Sequence, residues 1–162
     1  MKIGIYPGTF DPITHGHTDI ISRSLRVFDK VVVAVAPNPS KHPLFTLTER
    51  LEMIRLVMKE MKQVEVTHFD GLLVDYVQQY GAHAIIRGLR AISDFEHEFQ
   101  MALFNRKIAK QVETVFLMTS EEYSYLSSTI IKDVATHGGA LSQFLHPEVA
   151  RQLQERIRSL KK

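Results

Sequence analysis

Short apolar runs alternate with longer stretches of helical spacing along this chain. The runs Ile3 to Tyr6, Val31 to Ala36, Val64 to Thr67, Ala84 to Ile86 and Thr114 to Leu117 are mostly rich in β-branched residues, as strands covered on both faces tend to be. Between them, helical patterns occupy His17 to Phe28, Thr48 to Met61, Leu72 to Tyr80 and Phe95 to Lys110. Thr46 with Glu49 forms a capping-box pattern, and Leu51, Ile54, Met58 and Met61 follow at helical spacing, so those methionines are core filler. Gly81 stands where a helix beginning near Leu72 needs a C-terminal cap. A sixth helical element runs from Ser127–Thr129 to Gly138 and Gly139, and Pro147 suits the first position of a last helix, about 147–162. Repeated strand–helix alternation predicts an α/β fold: a single-domain, Rossmann-like, doubly wound parallel sheet of five strands with helices on both faces.

In such a sheet the ligand sits beyond the carboxyl ends of the strands, where strand order reverses. The segments that follow the five runs are PGTFDPITHGH, PNPSKHP, DGLL, RGLR and TSEEYSYLSST. They are the chain's richest loops in glycine, basic and hydroxyl groups, and the topology sends all of them to one edge. YPGTFDPITHGH, Tyr6 to His17, leads from a strand into a helix start, where unpaired N–H groups and the helix dipole attract phosphate. His17 falls in that first turn. Gly8 and Gly16 let ligand or backbone approach at the two ends of the loop. Neither GxxxxGK[ST] nor GxGxxG after a strand is present. The groups available for phosphate are instead His17, the trio Ser127, Ser128 and Thr129 at a second helix start, Lys41 on a loop, and Arg87 and Arg90 flanking Gly88. Donors arriving from several directions suit in-line displacement at phosphorus, and without a nucleophile poised beside a base, direct transfer is favoured.

Composition narrows this further. With 44% apolar and 23% charged residues in 162, the chain reads as one folded domain. Its longest strongly apolar run is too short to span a bilayer, and the start of the chain lacks a signal-peptide layout, so a cytoplasmic protein without membrane contact is expected. Zero cysteines exclude disulfides and a thiolate nucleophile. A net charge of +2 gives no nucleic-acid footprint. The cluster Arg156, Arg158, Lys161 and Lys162 is read as a solvated helix end. His42, His68, His83, His97, His137 and His146 are read as surface or structural residues, with no spacing that makes a metal site.

In order and at matching spacing, TFDP, the THGH run Thr14 to His17, NPSKHPLFTLTER, IIRGLRAISDFEHEFQMALFNR and SSTIIK resemble the bacterial phosphopantetheine adenylyltransferases of the nucleotidyltransferase superfamily. The resemblance covers Lys2 to about His146. It implies transfer of AMP from ATP to phosphopantetheine, giving dephospho-coenzyme A and pyrophosphate by direct attack on the α-phosphorus. By the same resemblance His17 stabilises the transition state, with Lys41 and Arg90 also catalytic, and Thr9 lies between donor and acceptor phosphates. Lys41 and Arg87 hold the acceptor phosphate and Leu73 its pantetheine arm. Phe10, Gly88, Leu89, Arg90, Glu98 and the loop Tyr123, Ser124, Tyr125, Leu126, Ser127, Ser128 and Thr129 surround ATP. Magnesium (Mg2+) enters on the ATP phosphates, with no protein metal cage, and the assembly is a homohexamer. Lys132, where relatives acting on other acceptors often carry Arg, favours phosphopantetheine. The residues taken alone leave other readings open: Lys41 as an exposed loop lysine, Glu98 as the partner of a nearby cation, Leu73 as core, and the hydroxyl trio as a helix cap. The same chemistry on nicotinamide mononucleotide, and a nucleotide-binding sensor without catalysis, are the alternatives.

Overall fold

The computed structural model describes residues 1–37, 42–90 and 92–161, with the side chains of 92–94 left aside. Five parallel strands form one sheet in the order β3-β2-β1-β4-β5: β1 (Ile3–Gly8), β2 (Lys30–Val35), β3 (Val64–His68), β4 (Ala84–Leu89) and β5 (Glu113–Met118). The helices are α1 (His15–Ser24), α2 (Leu47–Met58), α3 (Leu73–Tyr80), α4 (Ile92–Ile108), α5 (Ser128–Thr136) and α6 (Pro147–Leu160). All five predicted strands and all the predicted helices are present. None of the described helices is long and apolar enough to cross a membrane.

Alternation along the strands divides the interior into two layers. Tyr6, Val31, Val33, Val35, Ala84 and Ile86 face α1, α2, α5 and α6, where Ile20, Ile21, Met53, Ile54, Leu145 and Leu153 complete the larger layer. Ile5, Val32, Ala34 and Ile85 face the other side and meet Val74 and Val77 of α3, with Ala109 and Val112 beyond α4. The four central valines and alanine of β2 are fully buried, which explains why this strand reads as an unbroken apolar run.

Among the boundaries that differ from the sequence reading, those of α1 and β4 bear on functional residues. α1 begins at His15 rather than His17, with Thr14 as N-cap, so His17 is the third residue of the helix. It ends at Ser24, because residues 25–28 close in turns onto Arg23, Ile21 and Ser24 carbonyls. β4 continues to Leu89 through its pairing with β5, so Arg87 lies inside the strand and not after it. The C-terminal cluster also departs from expectation. Arg156 is not part of a solvated end: its guanidinium lies 4.9 Å from the Phe45 ring centroid, donates to the Leu44 carbonyl at 2.7 Å, and pairs with Glu49. Its aliphatic stem and planar head suit a half-buried seat that a lysine would not fill in the same way.

Ile54 is completely buried between α2 and the sheet. Ile54→Ala is expected to lower unfolding free energy by about 2–5 kcal/mol, read as a reduced midpoint in urea with unchanged slope.

Candidate active site

β1 lies beside β2 along its whole length but pairs with β4 only at Gly4↔Ala84 and Ile5↔Ile85. Beyond those pairs the two central strands part, at the point where strand order reverses. The opening is the mouth of a cavity of about 830 Å³, within the usual range of ligand sites. Pro7, which has no N–H to give to a ladder, sits in this gap. Its carbonyl accepts from Arg87 Nη1 at 3.1 Å.

Residues distant in sequence meet there. Thr9, Phe10, His17, Arg87, Gly88, Arg90, Glu98 and the whole run Tyr123–Thr129 line the cavity. Leu73 and Leu89 are not in its wall. Leu73 packs against the α3-side layer, and the Leu89 carbonyl accepts from Thr119 N–H and Oγ1–H, so both serve as support. Lys41 falls outside the described residues. His97, read from sequence as surface or structural, lines the cavity as well.

His17 is held through its Nδ1 and by packing of its ring. Its Nδ1 accepts the Thr14 backbone N–H at 3.0 Å and lies 3.0 Å from Thr14 Oγ1. A nitrogen that accepts from an amide carries no proton, so the proton of the neutral ring is on Nε2. Phe10 packs edge-on at 5.0 Å between ring centroids. Burial, helped by the Arg90 charge, pushes the His17 pKa down to about 4. The side chain is therefore a neutral, oriented N–H donor near pH 7. Tyr6 forms a neutral wall beside it, since burial raises its hydroxyl pKa against the opposing pull of Arg87 and Arg90.

The cationic groups are held by neighbours. Arg87 Nε donates to Glu98 Oε2 at 2.6 Å, and its Nη2 pairs with the other carboxylate oxygen. The partner that sequence reading left unspecified for Glu98 is thus Arg87 itself, tying α4 to β4. Arg90 Nη1 reaches the Leu126 carbonyl at 3.3 Å. The loop that carries Leu126 is anchored at its start by Asp19 of α1, which accepts both the N–H and the hydroxyl of Ser120 at 2.8 Å. Burial raises the Asp19 pKa, but these bonds and Arg23 outweigh it and hold the carboxyl below its ordinary value.

The hydroxyl trio divides its duties. Ser127 caps α5 by accepting the Ile130 N–H at 3.1 Å, while Ser128 donates to the Pro12 carbonyl at 2.8 Å. Thr129 is exposed at the cavity wall. The start of α5 thereby opens on the cavity and adds its own dipole and N–H groups to the anion-attracting surface.

Two charged residues that sequence reading gave no role in the site belong to its frame. Asp11 is buried; its carboxylate accepts Leu44 N–H and Phe45 N–H, each at 2.9 Å, and Lys132 Nζ at 2.7 Å. Arg50 is also buried, and all four of its described hydrogen bonds end on main-chain carbonyls. A signal for Arg50 existed: it shares the face of Ile54 and Met58 at spacing of four, where a charge is out of place unless it is bonded.

Comparison with known proteins shows the family and the fold. The cytidylyltransferase-like family model matches residues 5–134. A phosphopantetheine adenylyltransferase of Caldanaerobacter subterraneus subsp. tengcongensis is 54% identical over 158 residues, covering 98% of this chain and 99% of that protein. One from Alkaliphilus metalliredigens is 55% identical over 152 residues, covering 94% and 96%. Among solved structures, a bifunctional NMN adenylyltransferase/ADP ribose pyrophosphatase from Francisella tularensis superposes with a TM-score of 0.70 at 14% identity, covering 95% of this chain and 49% of that one. Such a distant likeness establishes the fold alone. Matched end to end by close relatives and over most of its length by the broader model, the chain belongs to the phosphopantetheine adenylyltransferase family, within the cytidylyltransferase-like group.

Proposed function

We propose that this chain transfers AMP from ATP to phosphopantetheine, releasing pyrophosphate and forming dephospho-coenzyme A. The observation that carries the chemistry is the convergence of His17, Arg90 and residues 123–129 on one cavity at the sheet's switch point. The choice of acceptor rests on the name of relatives more than half identical over nearly the whole chain. The acceptor's phosphate oxygen attacks the α-phosphorus, the bond to the bridging oxygen breaks, and pyrophosphate leaves with the electron pair. No proton has to be removed from a phosphate monoester to make it a nucleophile. The side chains therefore act by placement and charge, not as general bases.

His17 Nε2–H donates to an α-phosphate oxygen as charge gathers there. Being neutral and oriented beforehand, it does not reorganise during the step. Arg90 and the start of α5 attract the polyphosphate, and Arg87 and Lys41 take the phosphate of the acceptor, with Thr9 between the two. Tyr123 to Leu126, with Phe10 and Gly88, enclose the nucleoside. Magnesium is proposed to arrive on the ATP phosphates and to neutralise charge on the departing pyrophosphate. The cavity lining combines guanidinium, imidazole and hydroxyl groups with two carboxylates, Asp11 and Glu98, which are already paired with Lys132 and Arg87.

We also propose a homohexamer. α4 exposes Phe95, Phe99, Met101, Leu103, Phe104 and Ile108 around its circumference, which is unlike a helix whose outer face meets water alone.

Pyrophosphate release with ATP, magnesium and phosphopantetheine tests the reaction; ATP binding without release would leave only a nucleotide sensor, and release with nicotinamide mononucleotide instead would change the acceptor. His17→Ala is expected to lower kcat by about 10²- to 10³-fold while KM for ATP changes little. Equal losses in binding and turnover would contradict a transition-state role. With its pKa at about 4 instead of the ordinary 6.5, His17 places no inflection in the rate profile between pH 5 and 8. Between pH 6.5 and 4 the unfolded state binds a proton that the folded state does not, so this residue's contribution to stability is complete above pH 6.5 and is lost as pH falls towards 4. Urea midpoints of wild type and His17→Gln across that range measure it: the difference between the two proteins is expected to shrink as pH falls. Light scattering is expected to give the mass of six chains, and Phe104→Glu to reduce it; a wild-type monomer would reject the assembly.

A further inference from the structure

Arg50 is 1% exposed, a costly place for a charge unless its donors are satisfied. Its Nε donates to the Phe45 carbonyl at 3.2 Å, and Nη1 to the carbonyls of Thr9 at 2.7 Å and Ala36 at 2.9 Å. Nη2 reaches the Pro37 carbonyl at 3.1 Å. Burial lowers its pKa and the Asp11 carboxylate opposes that effect, so the guanidinium keeps its charge with Asp11 as the nearby counter-charge.

What this side chain grips is not arbitrary. Thr9 is the residue proposed above to lie between the two phosphates. Ala36 and Pro37 immediately precede the segment that carries Lys41, and Phe45 follows it. The Ala36 N–H, in turn, donates to the Gly8 carbonyl at 2.8 Å, and Asp11 takes the N–H groups of Leu44 and Phe45. Both ends of the Lys41 segment and the carbonyl of Thr9 are thus held by one planar fork, backed by one carboxylate. A planar guanidinium with five N–H groups spans three separate stretches of backbone; an ammonium on a single stem reaches one of them. The opposite wall, made by Arg90 and residues 123–129, is fastened chiefly through Asp19, Thr119 and Leu126, and meets this side where Ser128 and Lys132 reach Pro12 and Asp11.

We propose that Arg50 is a positioning residue for the acceptor side of the site, setting Thr9 and the two ends of the Lys41 segment against the ATP wall without touching either substrate. This rests on the acceptor reading above. Its signature is a split between the two substrates: in Arg50→Lys, KM for phosphopantetheine rises by about tenfold or more while KM for ATP stays within about threefold, because displacement by an ångström is enough to impair one side of a site. Ile54→Val, a core change elsewhere on the same helix, is the control for a general loss of stability and leaves both constants near wild type. If Arg50→Lys does not accumulate as soluble protein, Arg50→Met, neutral and of similar reach, carries the same test. Wild-type turnover is measured first: its absence with phosphopantetheine defeats the acceptor reading and this inference with it. Wild-type turnover together with variants in which both KM values rise in step, or neither moves, overturns the positioning role alone.

Discussion

The parting of β1 from β4 after Ile5 and Ile85 is the constraint on which the rest of the molecule depends. A continuous ladder there would fill the sheet's centre with hydrogen bonds and leave no opening. With the ladder broken, the carboxyl ends of the two central strands must find other partners for their polar groups. Arg87 reaches across to the Pro7 carbonyl. The cavity is therefore a consequence of topology, and its charged lining is partly what satisfies the backbone that topology exposed.

Around that opening the site is built as two walls with separate foundations. The wall formed by Arg90 and residues 123–129 hangs on α1 and β4, through Asp19 and Ser120, Thr119 and Leu89, and Arg90 and Leu126. The other wall hangs on α2 and α6, through Arg50, Asp11 and Arg156. They are joined where Lys132 and Ser128 of α5 meet Asp11 and Pro12. His17 stands at the seam, its ring held by the N-cap of its own helix. In the role proposed for it, that rigidity helps, because a mobile imidazole would turn to meet each charge state in succession.

Much of this was legible in the chain. Runs of β-branched residues separated by helical spacing specify parallel strands, since both faces of each strand must be covered, and the richest loops then fall at one edge. His17, Arg87, Arg90 and residues 123–129 were recoverable that way, whereas Glu98, on α4, entered only through the family resemblance. Strand ends were less so: β4 extends through Arg87 and Gly88 because β5 pairs with it that far, and a polar residue gives no local sign of a distant partner. The roles of Asp11, Arg50 and Arg156 were harder to see. Many of their bonds go to main-chain groups, and main chain carries no letter to read. Leu73 shows the converse, a residue whose spacing fitted core and ligand equally well and which the structure places against the core.

The same anonymity has an evolutionary meaning. Because Arg50 clasps carbonyl oxygens at positions 9, 36, 37 and 45 and no side chain, its grip is indifferent to which amino acids occupy those places. Residues facing an acceptor can then be exchanged one by one while the scaffold beneath them stays put. A shared architecture can in this way be refitted for differently shaped phosphate-bearing molecules without first being dismantled.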